Sequence, residues 1–237
     1  MQRILDLFLS PHAFRDVLPD IWLGFQTNIH MMVIAEILVL IFALGIAVVR
    51  GLPGRAAAPL RALAIVYVDF FRGTPLIIVA LVIGVGVPSA DAGWISGQSA
   101  PTYGIAAITI IYSAYVAEVY RAGIESIHSS QRMAARSLGL SYGQTMRYVV
   151  LPQAIRRVIP PLLNDFIGLQ KDTALVALVS VTPEAFKQAT IESSADFNYT
   201  PFVIAALLFV LITIPMTRFV DWLVARERAK RQTGTGL

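Results

Sequence analysis

The sequence predicts an all-α polytopic membrane protein with five transmembrane helices. Of its 237 residues, 56% are apolar and only 14% are charged, which is more apolar surface than one soluble domain of this size buries. Several apolar runs reach the roughly 20 residues that a helix needs to cross a hydrocarbon core of about 30 Å. The basic residues concentrate in alternate connections between those runs. These observations favour a single transmembrane domain over residues 1–237.

Five apolar runs account for the five helices. They cover residues 29–49, 62–87, 102–120, 158–181 and 202–225. The first run ends in a charged turn that contains Gly and Pro, residues that stop a helix. The second and fourth runs contain charged residues, whereas the fifth holds them only in its last turns. Residues 1–23, before the first run, are expected to form an amphipathic segment on the outer surface.

The basic residues predict the orientation, because loops rich in Lys and Arg stay in the cytoplasm. Thirteen of them lie in segments 50–61, 121–157 and 226–237, against three in the segments of the opposite side. We therefore expect the N-terminus outside and the C-terminus in the cytoplasm. Because these residues are spread over several anchors, the net charge of +4 does not form one nucleic-acid-binding patch.

The longest hydrophilic stretch inside the chain is the connection 121–157, between the third and fourth runs. Its sequence predicts a short helix that ends in a left-handed C-cap at Gly139. Ser141 and Gln144 have the spacing of a capping box and so begin a second short helix. We expect this second helix to end near Val150, so that two short helices lie at the cytoplasmic face between spans 3 and 4.

Two interpretations of this connection are open from the residues alone. The small side chains of Ala134, Ala135 and Gly139 would let another protein's surface approach closely, while the arginines of the loop pair with acidic groups there. Alternatively, the segment is a plain connector with solvated arginines.

The spacing of the connection resembles the EAA loop of bacterial ABC-importer permeases. That pattern reads Glu-Ala-Ala, three residues, Gly, nine residues, Ile, one residue and Leu-Pro. The chain matches it with Ala134-Ala135, Gly139 and Leu151-Pro152, whereas Met133 replaces the Glu and Val149 the Ile. Three further segments resemble the polar amino-acid permeases of the histidine, glutamine and glutamate type: residues 67–75, 113–118 and 171–173.

This resemblance implies the permease subunit of a type I importer, a multi-pass protein of the bacterial cytoplasmic membrane. Two permease subunits, identical or different, would form the pathway for a polar amino acid. A cytoplasmic ABC ATPase dimer, which binds ATP and Mg²⁺, would grip the EAA loops, and an extracytoplasmic amino-acid-binding protein would deliver the substrate. The residues implied in coupling to the ATPase are Ala134, Ala135, Arg136, Gly139, Leu140 and Ser141.

The composition agrees with this division of labour. The chain has no cysteine and only three scattered histidines, so thiolate chemistry is excluded and a metal cluster is not expected. None of its three lysines follows a glycine, so it has no phosphate-binding P-loop. We expect no cofactor on this chain and no enzymatic activity of its own.

Polar residues at membrane depth are pathway candidates, because an ionisable group there is costly unless it is paired or hydrated. On the fourth run, a polar stripe is formed by Asn164, Asp165, Gln170 and Lys171. The stripe offers complements to both the carboxylate and the ammonium of a free amino acid. Pairing between helices or subunits, without a ligand, is the alternative.

Two pairs of opposite charge are spaced three residues apart, which places each pair on one helix face. Asp69 and Arg72 are predicted to form a structural or gate-stabilising ion pair, with substrate contact as the alternative. Glu118 and Arg121 are predicted to form an anchoring pair at the cytoplasmic end of the third span.

A channel or a secondary transporter outside the ABC class would also explain charged residues within the membrane. The single set of five runs without internal duplication argues against that function, as does the EAA-spaced connection.

Overall fold

The computed structural model describes residues 2–178 and 183–233, and all regular structure in this part of the chain is helical. The α-helices are α1 Gln2–Phe8, α2 Pro11–Arg50, α3 Ala58–Gly73, α4 Leu76–Leu81, α5 Val87–Ser89, α6 Ala100–Glu125, α7 Ser129–Ser137, α8 Tyr142–Thr145, α9 Leu151–Asp172, α10 Ala185–Asp196 and α11 Thr200–Thr233. Short π-helical segments occur at Val82–Gly86 and Met146–Val150, and 3₁₀ segments at Gly93–Ile95 and Leu175–Leu178. The predicted all-α class is confirmed.

Within residues 2–178 and 183–233, three helical segments are long and apolar enough to cross a membrane: Gln2–Arg50, Ala100–Glu125 and Thr200–Arg226. The pair Ala58–Gly73 and Leu76–Ser89 makes a fourth if it is one broken span. Helix α9 does not qualify, because charged residues interrupt its apolar positions. Three to four of the five predicted spans are therefore present by length and composition, and a span at α9 stays a prediction.

The first span begins earlier than predicted. Helix α2 is continuous from Pro11, so residues 11–23 are its first turns rather than a separate surface segment. The side chains of Val17, Ile21 and Phe25 are buried in a core cluster with residues of α10 and α11. This tertiary packing extends the helix beyond the apolar run that the sequence shows.

The second predicted span, 62–87, is not one continuous helix. Helix α3 ends at Gly73 and α4 begins at Leu76, with Pro75 as its N-cap residue. Pro75 has no N–H to continue the hydrogen bonds of α3, and it disfavours helical geometry at the residue before it. The interruption therefore falls where the sequence has Gly-Thr-Pro.

The fourth predicted span, 158–181, is shifted along the chain. The second short helix does not stop near Val150, because α8 continues through the π-helical segment into α9, which ends at Asp172. The wider π turn directly precedes Leu151-Pro152 and relieves the clash that a proline causes inside a regular helix. The predicted end of this span, at Val181, lies outside the described residues.

The chain forms two compact units. The first consists of Met1–Leu38, Thr74–Ile111 and Ile167–Phe219, and its core cluster joins α2, α10 and α11. The second consists of Val39–Gly73, Tyr112–Phe166 and Val220–Leu237, and it contains the whole connection 121–157. Its small core cluster holds Ile127, Val150 and Ala154.

Candidate coupling loop and pathway residues

Helix α7 ends in a complete Schellman motif. Gly139 has φ of 83°, its N–H donates to the Arg136 carbonyl over 3.0 Å, and the Leu140 N–H donates to the Ala135 carbonyl over 3.2 Å. The guanidinium of Arg136 donates to the Leu140 carbonyl over 3.1 Å and so closes the turn. A left-handed φ strains any residue with a Cβ, which is why Gly stands at this position.

The predicted capping box at Ser141 is present. The Gln144 N–H donates to the Ser141 hydroxyl over 3.2 Å, and the Ser141 N–H donates to Gln144 Oε1 over 2.8 Å. The turn between α7 and α8 is therefore fixed at both ends by local hydrogen bonds, as the sequence predicted.

Two arginines attach this loop to the end of α6. Arg132 Nη2 donates to the Ile124 carbonyl over 3.0 Å, and Arg157 donates to the Ser126 carbonyl. Both carbonyls belong to the last turn of α6 or to the residue after it, where the helix supplies no donor. Gly123 lies against Val158 so closely that a Cβ there would clash. The loop is thus held firmly against the helices that flank it.

Four large apolar or aromatic side chains are exposed on the loop, among polar neighbours. Leu138 is 82% exposed and Met133 60% exposed, and Tyr142 and Tyr148 are also exposed. Exposed apolar groups in one segment of this size are typical of a protein contact surface. Ala134 is exposed as well, whereas Ala135 is only 5% exposed and packs within the chain.

The structure pairs Glu118 with Arg121 and adds two further members to the pair. Arg50 Nη1, at the end of α2, lies 2.8 Å from Glu118 Oε2, and Arg121 also contacts Glu125. Position 50 was predicted only as the start of the charged turn 50–61, without a partner on another helix. The network ties α2 to α6 just before the connection 121–157, and its role at a gate stays a prediction.

Asp69 and Arg72 are not paired in the structure. Among the described residues they form no ion pair within 4 Å, and both side chains are exposed. The Arg72 guanidinium lies 5.9 Å from the centre of the Tyr115 ring, and the Tyr115 hydroxyl donates to the Arg72 carbonyl over 3.3 Å. The aromatic face of α6 is therefore the partner of Arg72, a contact that spacing along α3 does not reveal.

Asp165 is the notable polar residue of the stripe on α9. It is half-buried, and its Oδ2 atom is buried with no hydrogen-bond partner in the described part of the chain. Asn164 beside it is exposed. A buried carboxylate oxygen without a donor is costly, so this position calls for a cation, a donor or water.

The other two residues of the stripe differ from each other. Gln170 is buried, and its Oε1 accepts a hydrogen bond from the Thr213 hydroxyl of α11 over 3.0 Å. Lys171 is exposed. Gln170 thus contributes to the packing of α9 on α11, whereas the Lys171 ammonium is open to solvent, substrate or a partner.

A buried polar network that the sequence analysis missed is centred on Asn28. Its Nδ2 donates to Glu184 Oε2 over 2.9 Å and to Thr173 Oγ1 over 3.1 Å, and its Oδ1 accepts from the Ala185 N–H over 3.0 Å. Asn28, Thr173 and Glu184 are all at most 2% exposed. The network joins α2, the end of α9 and the start of α10.

Glu184 caps α10, and the cap is packed against α2. Its carboxylate accepts hydrogen bonds from the N–H groups of Phe186 and Lys187. Burial raises the pKa of Glu184 above the ordinary value, and the same N–H groups together with Asn28 act in the opposite direction. At Gly24, a Cβ would lie 2.7 Å from the Glu184 carbonyl carbon, so only Gly allows this approach of α2.

The family model described as "Binding-protein-dependent transport system inner membrane component" matches residues 51–229. The chain therefore belongs to this family, and the predicted resemblance to importer permeases is confirmed. Members of this family are membrane components of transport systems. The long apolar helices of this chain agree with a membrane protein.

Several relatives are close. The probable glutamine ABC transporter permease protein GlnM of Bacillus subtilis is 36% identical over 71% of this chain and 76% of its own length. The glutamate transport system permease protein GluC of Corynebacterium glutamicum is 31% identical over 85% of this chain and 91% of its own. The crystal structure of an amino acid ABC transporter with histidines has a TM-score of 0.82 at 31% identity, covering 92% of this chain and 98% of that chain.

Proposed function

We propose that the chain is the membrane-spanning subunit of an ATP-driven importer that moves a polar amino acid into the cytoplasm. Family membership supports the transport role, and the names of the relatives support a polar amino acid. The observation that carries the proposal is the loop between α6 and α9. Its turn is fixed by local hydrogen bonds, it is attached to the end of α6, and it exposes large side chains such as Met133 and Leu138 that another protein can contact.

The partners follow from this loop and from the family. A cytoplasmic ABC ATPase dimer binds the surface around Met133 and Leu138, and ATP with Mg²⁺ binds to the ATPase alone. Because Met133 offers no carboxylate, the ATPase surface that meets it is apolar rather than basic. A second permease subunit, identical or different, completes the pathway, and an extracytoplasmic amino-acid-binding protein delivers the substrate.

The proposed topology has five spans in the bacterial cytoplasmic membrane, with α9 as the fourth. A helix with charged residues crosses a membrane when its polar side faces protein or water. For α9 this condition requires the exposed side chains of Asn164 and Lys171 to face water or the partner permease, while Ile167 and Leu169 pack within the chain. The N-terminus is then outside and the C-terminus cytoplasmic.

Reporter insertions test this topology. A reporter that is active only in the cytoplasm should be active after residue 237 or at His128, and silent at Gly93 or Phe197. All three internal positions are exposed, so insertion should leave the core packing intact. Activity at Gly93 or Phe197 would mean that the orientation is inverted or that α9 does not cross.

Asp165→Ala tests the pathway. Loss of the unpartnered carboxylate should weaken substrate binding and so raise the KM of uptake. The lost binding free energy should be about 2 to 5 kcal/mol if the site excludes water, and much less if the site is hydrated. Asp165→Asn should behave similarly, since the charge is what binds an ammonium. Asp196→Ala removes an exposed carboxylate at the end of α10 and serves as the control. If both Asp165 variants take up substrate like the wild type, Asp165 does not contact it.

A further inference from the structure

A groove in the second compact unit is lined by none of the residues assigned above to ATPase coupling or to the pathway. Its volume is about 430 Å³, and it lies between the last turns of α6, the first half of α9 and the last part of α11. Its walls are mainly apolar, with Val119, Ala122, Val158 and Val224 among the lining residues.

Two adjacent arginines, Arg156 and Arg157, line this groove, and none of its lining residues is acidic. Arg157 directs one N–H to the Ser126 carbonyl and has further donors available. Arg156 is exposed and makes no hydrogen bond or ion pair with any residue that the structure describes. The groove therefore carries positive charge beside an apolar wall.

Two residues that line the groove also have backbone carbonyls without their usual helical donors. Pro160 and Pro161 line the groove and stand inside α9, where a proline has no N–H to offer the residue four positions earlier. The carbonyls of Arg156 and Arg157 consequently lack their helical donors. A ligand with an anionic group and nearby hydroxyl donors satisfies both the guanidinium groups and these carbonyls.

We propose that the groove binds an anionic phospholipid whose headgroup carries hydroxyls, as phosphatidylglycerol does. The lipid phosphate contacts Arg156 and Arg157, the headgroup hydroxyls donate to the two carbonyls, and the start of an acyl chain covers the apolar wall. The proposed topology places this end of the helices at the cytoplasmic leaflet, where basic pockets between helices bind anionic headgroups. The inference rests on that topology but not on the identity of the transported amino acid.

Lipid retention in native mass spectrometry tests the proposal. The complete complex of permease, partner permease and ATPase is titrated with phosphatidylglycerol or with phosphatidylcholine of the same acyl chains. We expect selective retention of phosphatidylglycerol, reduced by about fivefold for Arg156→Gln and about 25-fold for the double Arg156→Gln, Arg157→Gln variant. Arg55→Gln removes an exposed charge of the same predicted face and should leave retention unchanged.

A second variant tests shape independently of charge. Ala122→Leu fills the groove from α6 with a residue that favours a helix, and it should lower retention although every arginine is present. Equal retention of both lipids by the wild type would overturn the proposal. Phosphatidylglycerol retention that is unchanged in both the double variant and Ala122→Leu would also overturn it. So would phosphatidylglycerol retention by the isolated permease that is lost in the complete complex. None of these readouts requires transport, so failure here is distinguishable from failure of the proposed function.

Discussion

Gly139→Val is expected to weaken copurification of the permease with its ATPase by roughly tenfold, and with it the hydrolysis stimulated by the binding protein. With φ of 83°, Gly139 is in the left-handed region, where a β-branched residue costs about 1 to 2 kcal/mol. The space around Gly139 is open, since a Cβ would meet no atom of the chain within 4 Å. The expected defect therefore comes from the backbone of the Schellman turn, which no longer orients Met133 and Leu138 together.

Two matched variants separate backbone strain from added bulk. Gly139→Asn retains part of the function, because Asn tolerates the left-handed region. Gly143→Ala adds one carbon in equally open space within α8, where φ is not positive, and should copurify normally. Copurification with the ATPase and the hydrolysis stimulated by the binding protein are both measured in nanodiscs. Wild-type copurification and turnover of Gly139→Val would mean that this loop does not couple the ATPase to the pathway.

Asn28→Asp is expected to prevent stable assembly of the permease. The substitution places a second carboxylate against Glu184 Oε2 and removes the donor to Thr173 in a site that is almost fully buried. Breaking one partner of such a buried charged network costs about 3 to 5 kcal/mol. The yield of the detergent-solubilised complex and its thermal midpoint are the measurements.

The control for this variant lies two residues earlier on the same helix. Gln26→Glu adds the same charge at an exposed position of α2 and should change the thermal midpoint much less. Asn28→Ala leaves Glu184 and the Ala185 N–H without their Asn28 partner, so its thermal midpoint should lie between those of Asn28→Asp and Gln26→Glu. If Asn28→Asp assembled with wild-type stability, the Asn28 network would not hold α2 to the start of α10.

Local signals in the sequence were sufficient for the turn between α7 and α8, but not for the end of α8, which continues into α9. Gly139, Ser141 and Gln144 form their turn and capping box through bonds between residues at most five apart, so spacing alone predicts them. The helical class follows equally from composition. The helix boundaries do not follow from composition. Helix α2 begins 18 residues before the predicted start at residue 29, because packing against α10 and α11 overrides hydropathy there.

Long-range partners were the part that the sequence left hidden. Asn28 and Glu184 are 156 positions apart, and Arg50 and Glu118 are 68 apart. A lone Asn in an apolar helix and a Glu after a proline are the signals that pointed to buried partners, but neither identifies the other. Helical spacing likewise cannot show that the Arg72 guanidinium lies over the Tyr115 ring, and the gate or substrate role of Asp69 and Arg72 stays a prediction.

Uptake into proteoliposomes tests the central claim most directly. The permease is reconstituted with its partner permease and ATPase, the binding protein is supplied outside, and labelled glutamine, glutamate or arginine is followed with ATP or a non-hydrolysable analogue inside. The proposed function predicts that at least one of these amino acids accumulates only when ATP, the ATPase and the binding protein are all present. Accumulation driven by an ion gradient through the permease without the ATPase would contradict it.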